Sequence, residues 1–489
     1  MNSIFYKITA AVLLMGAPLL CFAQQTAGSN TKAPKNIDSI GKNSDSTEKN
    51  PFGNAESSFE NAKNLFGNAL VPDMTADASI QEIDGTFYCS ATTDGMGHGL
   101  QTSGPPVLWK SKDFVHWHFD GLMYADTMKM KYWAPSKMVK ANGQWYSYPT
   151  LNGRMHVAVS QSPDGTFVLA KQGQLIPGDG GIDAEIFIDD DGKKYIFWNR
   201  RNAARLCDDM VTVDMTTHIT ISSPHNVYSE GPCFFKRNGI YYYLYTLGGD
   251  ERYQYAYMMS RTSPLGPYEI PKDDIITTTN YATGTFGPGH GCVFRREKSD
   301  DYYIAFLEFG RNSTNRQTYV NRLEFNADGT IRPVQVNMEG VGALRKVNYG
   351  TPLAIADVNA SSTLQPQAIR YFKDEKCQRT EHFVPQFAID GANGSRWMAD
   401  AANDAQPSFT LDLGRVQKVK RCEVAFVRPT EGHAYRIETS LDGQSWTTAA
   451  EKTQREICSP HIDRIGKKVR FVRITILEGV QGIWECQLY

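Results

Sequence analysis

Five times, in order along the chain, a turn bearing Gly or Asp is followed by two residues and then by a tyrosine that opens an apolar strand. The copies are Gly85-Thr-Phe-Tyr88, Gly143-Gln-Trp-Tyr146, Gly192-Lys-Lys-Tyr195, Gly239-Ile-Tyr-Tyr242 and Asp300-Asp-Tyr-Tyr303, with tyrosine spacings of 58, 49, 47 and 61. A second marker follows within the unit: Ser111-Lys-Asp-Phe-Val-His-Trp117, Ser160-Gln-Ser-Pro-Asp-Gly-Thr-Phe167 and Ser260-Arg-Thr-Ser-Pro-Leu-Gly-Pro-Tyr268. The third unit, around Leu206-Cys-Asp-Asp-Met210, has drifted. Units of about 50 residues built from hairpins are the mark of a β-propeller, and five units imply five blades. An ordinary sandwich with chance matches would not keep five ordered copies with a second marker.

The repeat stops near residue 355. Alternation continues in Phe409-Thr-Leu-Asp-Leu413, Tyr435-Arg-Ile-Glu-Thr439 and Val469-Arg-Phe-Val-Arg-Ile-Thr-Ile476, with turn signals such as Asp442-Gly443 between them. This reads as an antiparallel β-sandwich. The expected chain is therefore all-β: a five-bladed propeller over 71–350 and a jelly-roll sandwich over 355–489.

Two segments precede them. Lys7, the apolar run Ile8 to Leu20 and Cys21-Phe22-Ala23 read as a signal peptide over 1–23. That places the protein in a secreted or periplasmic setting. Cys21 raises a lipoprotein alternative, but Leu20 before it fits a lipid-attachment site poorly. The apolar run is too short for a span, and no later segment could cross a bilayer. Residues 24–70, rich in Asn, Ser, Lys, Gly and Gln, read as a flexible linker. Within it Asn50-Pro-Phe-Gly-Asn54 and Asn64-Leu-Phe-Gly-Asn68 echo each other.

Net charge is −2 and no basic block stands out, so nucleic acid is not an expected partner. Of nine cysteines, Cys377 with Cys486 and Cys422 with Cys458 are the pairs that position suggests, while Cys89, Cys233 and Cys292 sit in apolar runs as small buried hydrophobes. No CxxC or HExxH is present, so no metal site is expected.

In a propeller the innermost strands run along the axis, so the residues entering them converge on one funnel. Counting 11 to 13 positions back from the repeat tyrosines gives Asp77, Ala134-Pro135 after Tyr132-Trp133, Asp183, Glu230 and His290. A lone Asp before a strand is usually a turn cap. Three carboxylates and a histidine at one repeated position are different, because they must repel and desolvate one another there. Paired carboxylates across a pocket are the equipment of glycoside hydrolysis, one as acid on the leaving oxygen and the other as base or nucleophile.

Residues 70 to 335 resemble glycoside hydrolase family 43, five-bladed propeller enzymes acting on arabinose- and xylose-containing glycans. The pieces are Ala76-Asp77-Ala78-Ser79, Trp133-Ala134-Pro135, Ile182-Asp183 with Asp190-Asp-Gly192, and Glu230-Gly231-Pro232, with His290 and Arg316-Gln-Thr fitting the last blade. The resemblance implies that Asp77 is general base, Glu230 general acid and Asp183 the residue that orients and tunes the acid, in an inverting hydrolysis with no required cofactor. It also implies substrate-binding roles for Trp133, His290 and Arg316. Arg316, or Arg311 in its stead, would touch Asp183 or substrate. His290 would lie on the axis, where some relatives hold a calcium or a water, or be a satisfied core histidine. Ala78, Ala184 and Ser136 depart from the family pattern but keep the carboxylates, and so bear on the sugar more than on the chemistry. Glu185 is discounted as catalytic, as pointing to the opposite strand face from Asp183.

The implied function is an O-glycosyl hydrolase of plant-type polysaccharide, an exo-α-L-arabinofuranosidase or β-xylosidase, acting as a monomer. An exo-β-1,3-galactosidase and a non-catalytic glycan-binding protein are the alternatives. A fructan-cleaving propeller would need Asn-Asp-Pro and Arg-Asp-Pro motifs, and neither is present. The C-terminal region resembles discoidin-like coagulation factor 5/8 C-type domains and family 32 carbohydrate-binding modules. It does so through Ala388-Ile-Asp-Gly391, Ser395-Arg-Trp397, Phe409-Thr-Leu-Asp-Leu-Gly414 and Ser440-Leu-Asp-Gly-Gln-Ser-Trp446. These are framework residues, and Trp397 and Trp446 are read as core.

Overall fold

Each Gly-x-x-Tyr copy follows the turn of a hairpin between the two strands nearest the axis. In blade one, β1 (Thr75–Ile83) turns through Asp84-Gly85 into β2 (Thr86–Thr93), with Ile83 opposite Thr86. Asp84 and Gly85 have φ of 47° and 73°, as do Asn142 and Gly143 (51° and 76°) and Asn238 and Gly239 (51° and 77°) in blades two and four. Positive φ at both central positions is the two-residue turn whose twist matches a hairpin, which is why Asn-Gly and Asp-Gly recur. The tyrosine then falls on the second strand, and Tyr88, Tyr146, Tyr195, Tyr242 and Tyr303 are all buried.

The structure is a computed structural model that describes residues 62–489 apart from 97–102, 126–129, 171–172, 177–180, 250–251, 310, 312–314 and 371–377. The expected signal peptide and residues 24–61 of the expected linker lie outside the described residues. β3 (Leu108–Ser111) and β4 (Trp117–His118) complete blade one. A small accessory sheet of β5 (Tyr132–Trp133), β8 (Thr150–Leu151) and β9 (Arg154–Met155) adjoins blade two. That blade is β6 (Val139–Ala141), β7 (Gln144–Ser147), β10 (Ala158–Ser160) and β11 (Val168–Leu169). Blade three is β12 (Glu185–Ile188), β13 (Lys194–Trp198), β14 (Asn202–Leu206) and β15 (Val213–Thr220). Blade four is β16 (Ser229–Arg237), β17 (Ile240–Leu247), β18 (Gln254–Ser260) and β19 (Ile275–Thr277). Blade five shows three strands among the described residues, β20 (Val293–Arg295), β21 (Tyr302–Glu308) and β22 (Gln317–Leu323).

The core lies between blades rather than within them. Phe187 and Phe197 of blade three meet Phe234, Tyr241 and Tyr243 of blade four, and Ile80 and Cys89 of blade one meet Cys292 and Ile304 of blade five. Cys233 and Cys292 behave as the buried small residues expected, and their sulfurs accept the backbone N–H groups of Val293 and Ile80 at 3.1 Å each.

The end of the expected linker does not run free. Phe66, Ala69 and Leu70 are buried. Leu70 N donates to Thr318 O on β22 at 2.8 Å, and Asn68 N to Met338 O at 2.7 Å. Three apolar residues in five outweigh the polar composition that suggested a linker.

The C-terminal domain is β23 (Asp357–Ala360), the hairpin β24 (Gln367–Arg370) with β25 (Gln378–Glu381), β26 (Trp397–Met398), β27 (Ser408–Phe426), β28 (His433–Ser440), β29 (Thr447–Glu456), β30 (His461–Glu478) and β31 (Gly482–Leu488). The main sheet runs β26-β31-β27-β30-β28-β29, with β23 also on β27. Trp397 is fully buried, as expected of core. Trp446 instead carries the Arg473 guanidinium over its ring, 4.0 Å from the centroid. Of the suggested cysteine pairs, Cys422 with Cys458 does not form, and Cys377 with Cys486 cannot be followed among the described residues. Cys422 instead sits diagonally across adjacent strands from Cys486, because 422 pairs with 488 and 424 with 486. Cys458 faces His461 instead, and Cys377 lies outside the described residues.

The interblade core makes one test direct. Phe234 is fully buried and stacks on Phe197 at 4.3 Å between ring centroids. Phe234→Ala should lower the unfolding free energy by about 3–5 kcal/mol, read as a lower urea midpoint at unchanged slope. A midpoint within error of wild type would mean that this contact does not hold blades three and four together.

Candidate active site

At the entry to each innermost strand the backbone flips into the left-handed region. Asp77, Ala134, Asp183, Gly231 and His290 have φ of 55°, 35°, 62°, 53° and 32°. This conformation is disfavoured for residues with a Cβ, by about 1–3 kcal/mol each, and such residues concentrate at functional sites. The flip breaks the strand ladder locally, with register shifts between Ala76 and Ser79 and between Glu230 and Cys233. It also turns the side chain toward the axis. The five-fold position in blade four is thus Gly231, and Glu230 precedes it by one. Gly231 has a second reason to be glycine, since a Cβ there would lie 2.6 Å from His290 Cδ2.

Asp77 is buried among three partners. Thr92 Oγ1 donates to its Oδ2 at 2.6 Å, His290 Nδ1 lies 3.1 Å from Oδ1, and Arg316 Nη1 is 3.5 Å from Oδ1. Burial pushes its carboxyl up, but the charges of His290 and Arg316 and the Thr92 hydrogen bond outweigh this and hold it below the usual range. His290 moves the other way. Burial favours its neutral form, and the three facing carboxylates of Asp77, Asp183 and Glu230 overcome this and raise it.

Asp183 is buried too. Its own N–H donates to Thr150 Oγ1 at 3.0 Å, and its Oδ2 accepts from Gly231 N at 3.3 Å. Its carboxyl is raised, first by burial and then by the charges of Glu230 and Asp77, against the pull of His290. One donor atom each of Asp183, Glu230 and His290 lie within 4.8 Å of one another. Glu230 is half-buried and its Oε1 accepts the phenol of Tyr253.

Of the two contacts expected of Arg316, Asp183 or substrate, the first is not made: Arg316 touches Asp77 and Asp94. Its Nε donates to Asp94 Oδ2 at 2.8 Å, its Nη2 to Oδ1 at 3.1 Å and its backbone N to Oδ2 at 3.1 Å. The alternative, Arg311, is elsewhere: its Nε donates to Glu381 Oε1 at 2.9 Å, in the sandwich. Trp133 is half-buried on β5, next to the Ala134 flip, and its backbone pairs with Thr150, whose hydroxyl holds Asp183. Thr92, Asp94, Thr150 and Tyr253 were not legible as site residues. They lie on or beside β2, the accessory strand β8 and β18, outside the repeated entry position.

Glu185 requires a correction. Positions i and i+2 share a strand face, and Glu185 lines the same axial cavity as Asp183. It is occupied otherwise: Lys137 Nζ lies 2.6 Å from Glu185 Oε1 and donates to Phe234 O at 3.0 Å. The cavity, ≈ 20 Å³, is sized for a single water. A calcium ion takes six to eight oxygens, backbone carbonyls and waters among them, and around His290 the described side chains offer the carboxylates of Asp77, Asp183 and Glu230.

The comparisons with known proteins bear on the family and the fold. The model of glycosyl hydrolases family 43 matches residues 66–331, and that of the F5/8 type C domain matches residues 358–487. A solved structure described as a glycoside hydrolase is 60% identical, with a TM-score of 0.86 over 87% of this chain and 100% of that one. The beta-D-galactofuranosidase xynD of Aspergillus niger is 37% identical over 172 residues, 34% of this chain and 48% of the relative. The arabinoxylan arabinofuranohydrolase of Paenibacillus polymyxa is 26% identical over 257 residues, 44% of this chain and 40% of the relative. The chain spans about half the length of these curated relatives.

Two substitutions probe the site. Thr92→Val removes the hydrogen bond that favours ionised Asp77, so the Asp77 carboxyl rises. If Asp77 must be ionised to work, the acid limb of the kcat/KM profile should move to higher pH by about half to one pH unit. An unmoved limb would separate it from Asp77. Gly231→Ala drives a methyl into the His290 ring and should lower kcat about 100-fold with the circular dichroism spectrum unchanged. Wild-type turnover in that variant would show that His290 can shift at no cost.

Proposed function

The chain belongs to glycosyl hydrolases family 43 and is a glycoside hydrolase, and from that premise we propose an exported exo-furanosidase that removes terminal α-L-arabinofuranosyl units, or β-D-galactofuranosyl units, from polysaccharide side chains. The observation that carries the reading is the meeting of Asp77, Asp183 and Glu230 with His290 and Arg316 at one end of the propeller axis. In it Asp77 is the general base, kept ionised by His290, Arg316 and Thr92, and takes a proton from the attacking water. Glu230 is the general acid that protonates the leaving oxygen, and Asp183 orients it. Water displaces the aglycone in one step with inversion. No step passes through a metal.

The choice of sugar rests on the relatives' names, a galactofuranosidase and an arabinofuranohydrolase. The two sugars share the ring configuration around the anomeric carbon and differ at the exocyclic group, so one furanose pocket can take both. A β-xyloside is the second reading, supported by a similar beta-xylosidase of Bacillus subtilis, 24% identical over 265 residues. Export fits the N-terminal reading, and among the described residues no helix is long and apolar enough to cross a membrane.

The test is release of monosaccharide from aryl α-L-arabinofuranoside, β-D-galactofuranoside, β-D-xyloside and β-D-galactopyranoside, beside arabinan, arabinoxylan and arabinogalactan. Furanoside hydrolysis is expected to dominate. Glu230→Gln should lower turnover of unactivated substrates by about 10³-fold or more, and Asp77→Asn should be as severe. Wild-type rates in either variant would remove that residue from its role. Xyloside preference would overturn the furanose assignment, and silence on every substrate would favour a glycan-binding protein.

A further inference from the structure

Away from the axis, a second set of donors converges where the sandwich meets the propeller. Glu456 ends β29, His461 opens β30, and Cys458 lies in the turn between them. One donor atom of each lies within 4.8 Å of the others. Cys458 Sγ is 3.4 Å from His461 Nδ1 and 3.7 Å from Nε2. A tetrahedral ion with a metal–sulfur bond near 2.3 Å and a metal–nitrogen bond near 2.0–2.1 Å separates those two ligands by about 3.5 Å.

We propose that Glu456, Cys458 and His461 bind a divalent transition-metal ion of the zinc class, with water in the fourth position. The donor types select the ion: thiolate and imidazole favour zinc and its neighbours over calcium or magnesium. The surroundings suit a cation. His461 is buried, its ring edge-on to Tyr435 at 5.0 Å and Phe426 at 5.3 Å, which fixes its orientation. Binding releases the thiol proton to solvent as the sulfur–metal bond forms. Lys452 lies 3.1 Å from Glu456 Oε1, a partly exposed pair of the kind that contributes little.

The site has a structural consequence. Ser459 and Phe119 exchange backbone hydrogen bonds of 2.9 and 3.1 Å, joining the sandwich to blade one. Ligands on both sides of Ser459 would clamp the turn that makes this bridge.

The test uses the full-length protein, stripped with EDTA and dialysed. Zinc should bind at one equivalent per chain and raise the melting temperature, and cadmium should give a thiolate-to-metal band in the ultraviolet. Cys458→Ser should abolish the band and the thermal shift and weaken zinc about 100-fold or more, since even outer-shell changes weaken metal sites by about 10–100-fold. Glu456→Ala, at an exposed residue, should weaken zinc about 10-fold and keeps the test open if the serine variant folds poorly. No cadmium band in the wild type, or an undiminished band in Cys458→Ser, would overturn the site and leave a thiol–imidazole hydrogen bond.

Discussion

The buried pairing of Asp77 with His290 and Arg316 is the interaction on which the axial site depends. A carboxylate taken out of water resists ionisation unless cations stand beside it. Asp77 has two, and each is itself tied to other acids: His290 faces Asp183 and Glu230, and Arg316 is gripped by Asp94. The charges form a closed set in which loss of one leaves another stranded. His290 pulls both Asp77 and Asp183 down, but Arg316 and Thr92 add to that pull only at Asp77, while burial and the charges of Glu230 and Asp77 carry Asp183 up, which lets chemically similar side chains hold different protonation states a short way apart.

Much of this was legible because a propeller repeats. The spacing of the tyrosines marks the hairpins, and the hairpins mark the entry positions, so Asp77, Asp183 and His290 follow from counting. Glu230 was reached by the same count, although backbone geometry puts the flip at Gly231; the turn to a left-handed conformation has no composition of its own when Asp, Ala, Gly and His can all fill it. The clamp of Asp94 on Arg316 joins residues 222 positions apart, beyond the reach of any local pattern. Arg311 and Arg316, five residues apart in one loop, could be told apart only by what surrounds each. Glu185 was assigned to the wrong face by a misapplied alternation, and its partner Lys137 comes from another blade.

The joint between the domains follows a different logic. Arg311 and Arg396 share the Glu381 carboxylate, at 2.9 and 2.8 Å, and the Arg311 guanidinium lies over the Phe66 ring, 3.5 Å from its centroid. One acid between two arginines, roofed by an aromatic, ties propeller, sandwich and the incoming chain into one structure. A composition-based reading of residues 24–70 sees polar residues and misses the apolar few that dock.

The Lys137–Glu185 pair gives the axis a floor. Beneath the flipped residues there is room for about one water, and the charge of Glu185 is answered there by Lys137. The pair keeps a further acid out of the set that faces His290, so the electrostatic balance above the floor is struck among Asp77, Asp183, Glu230 and the two cationic side chains without it.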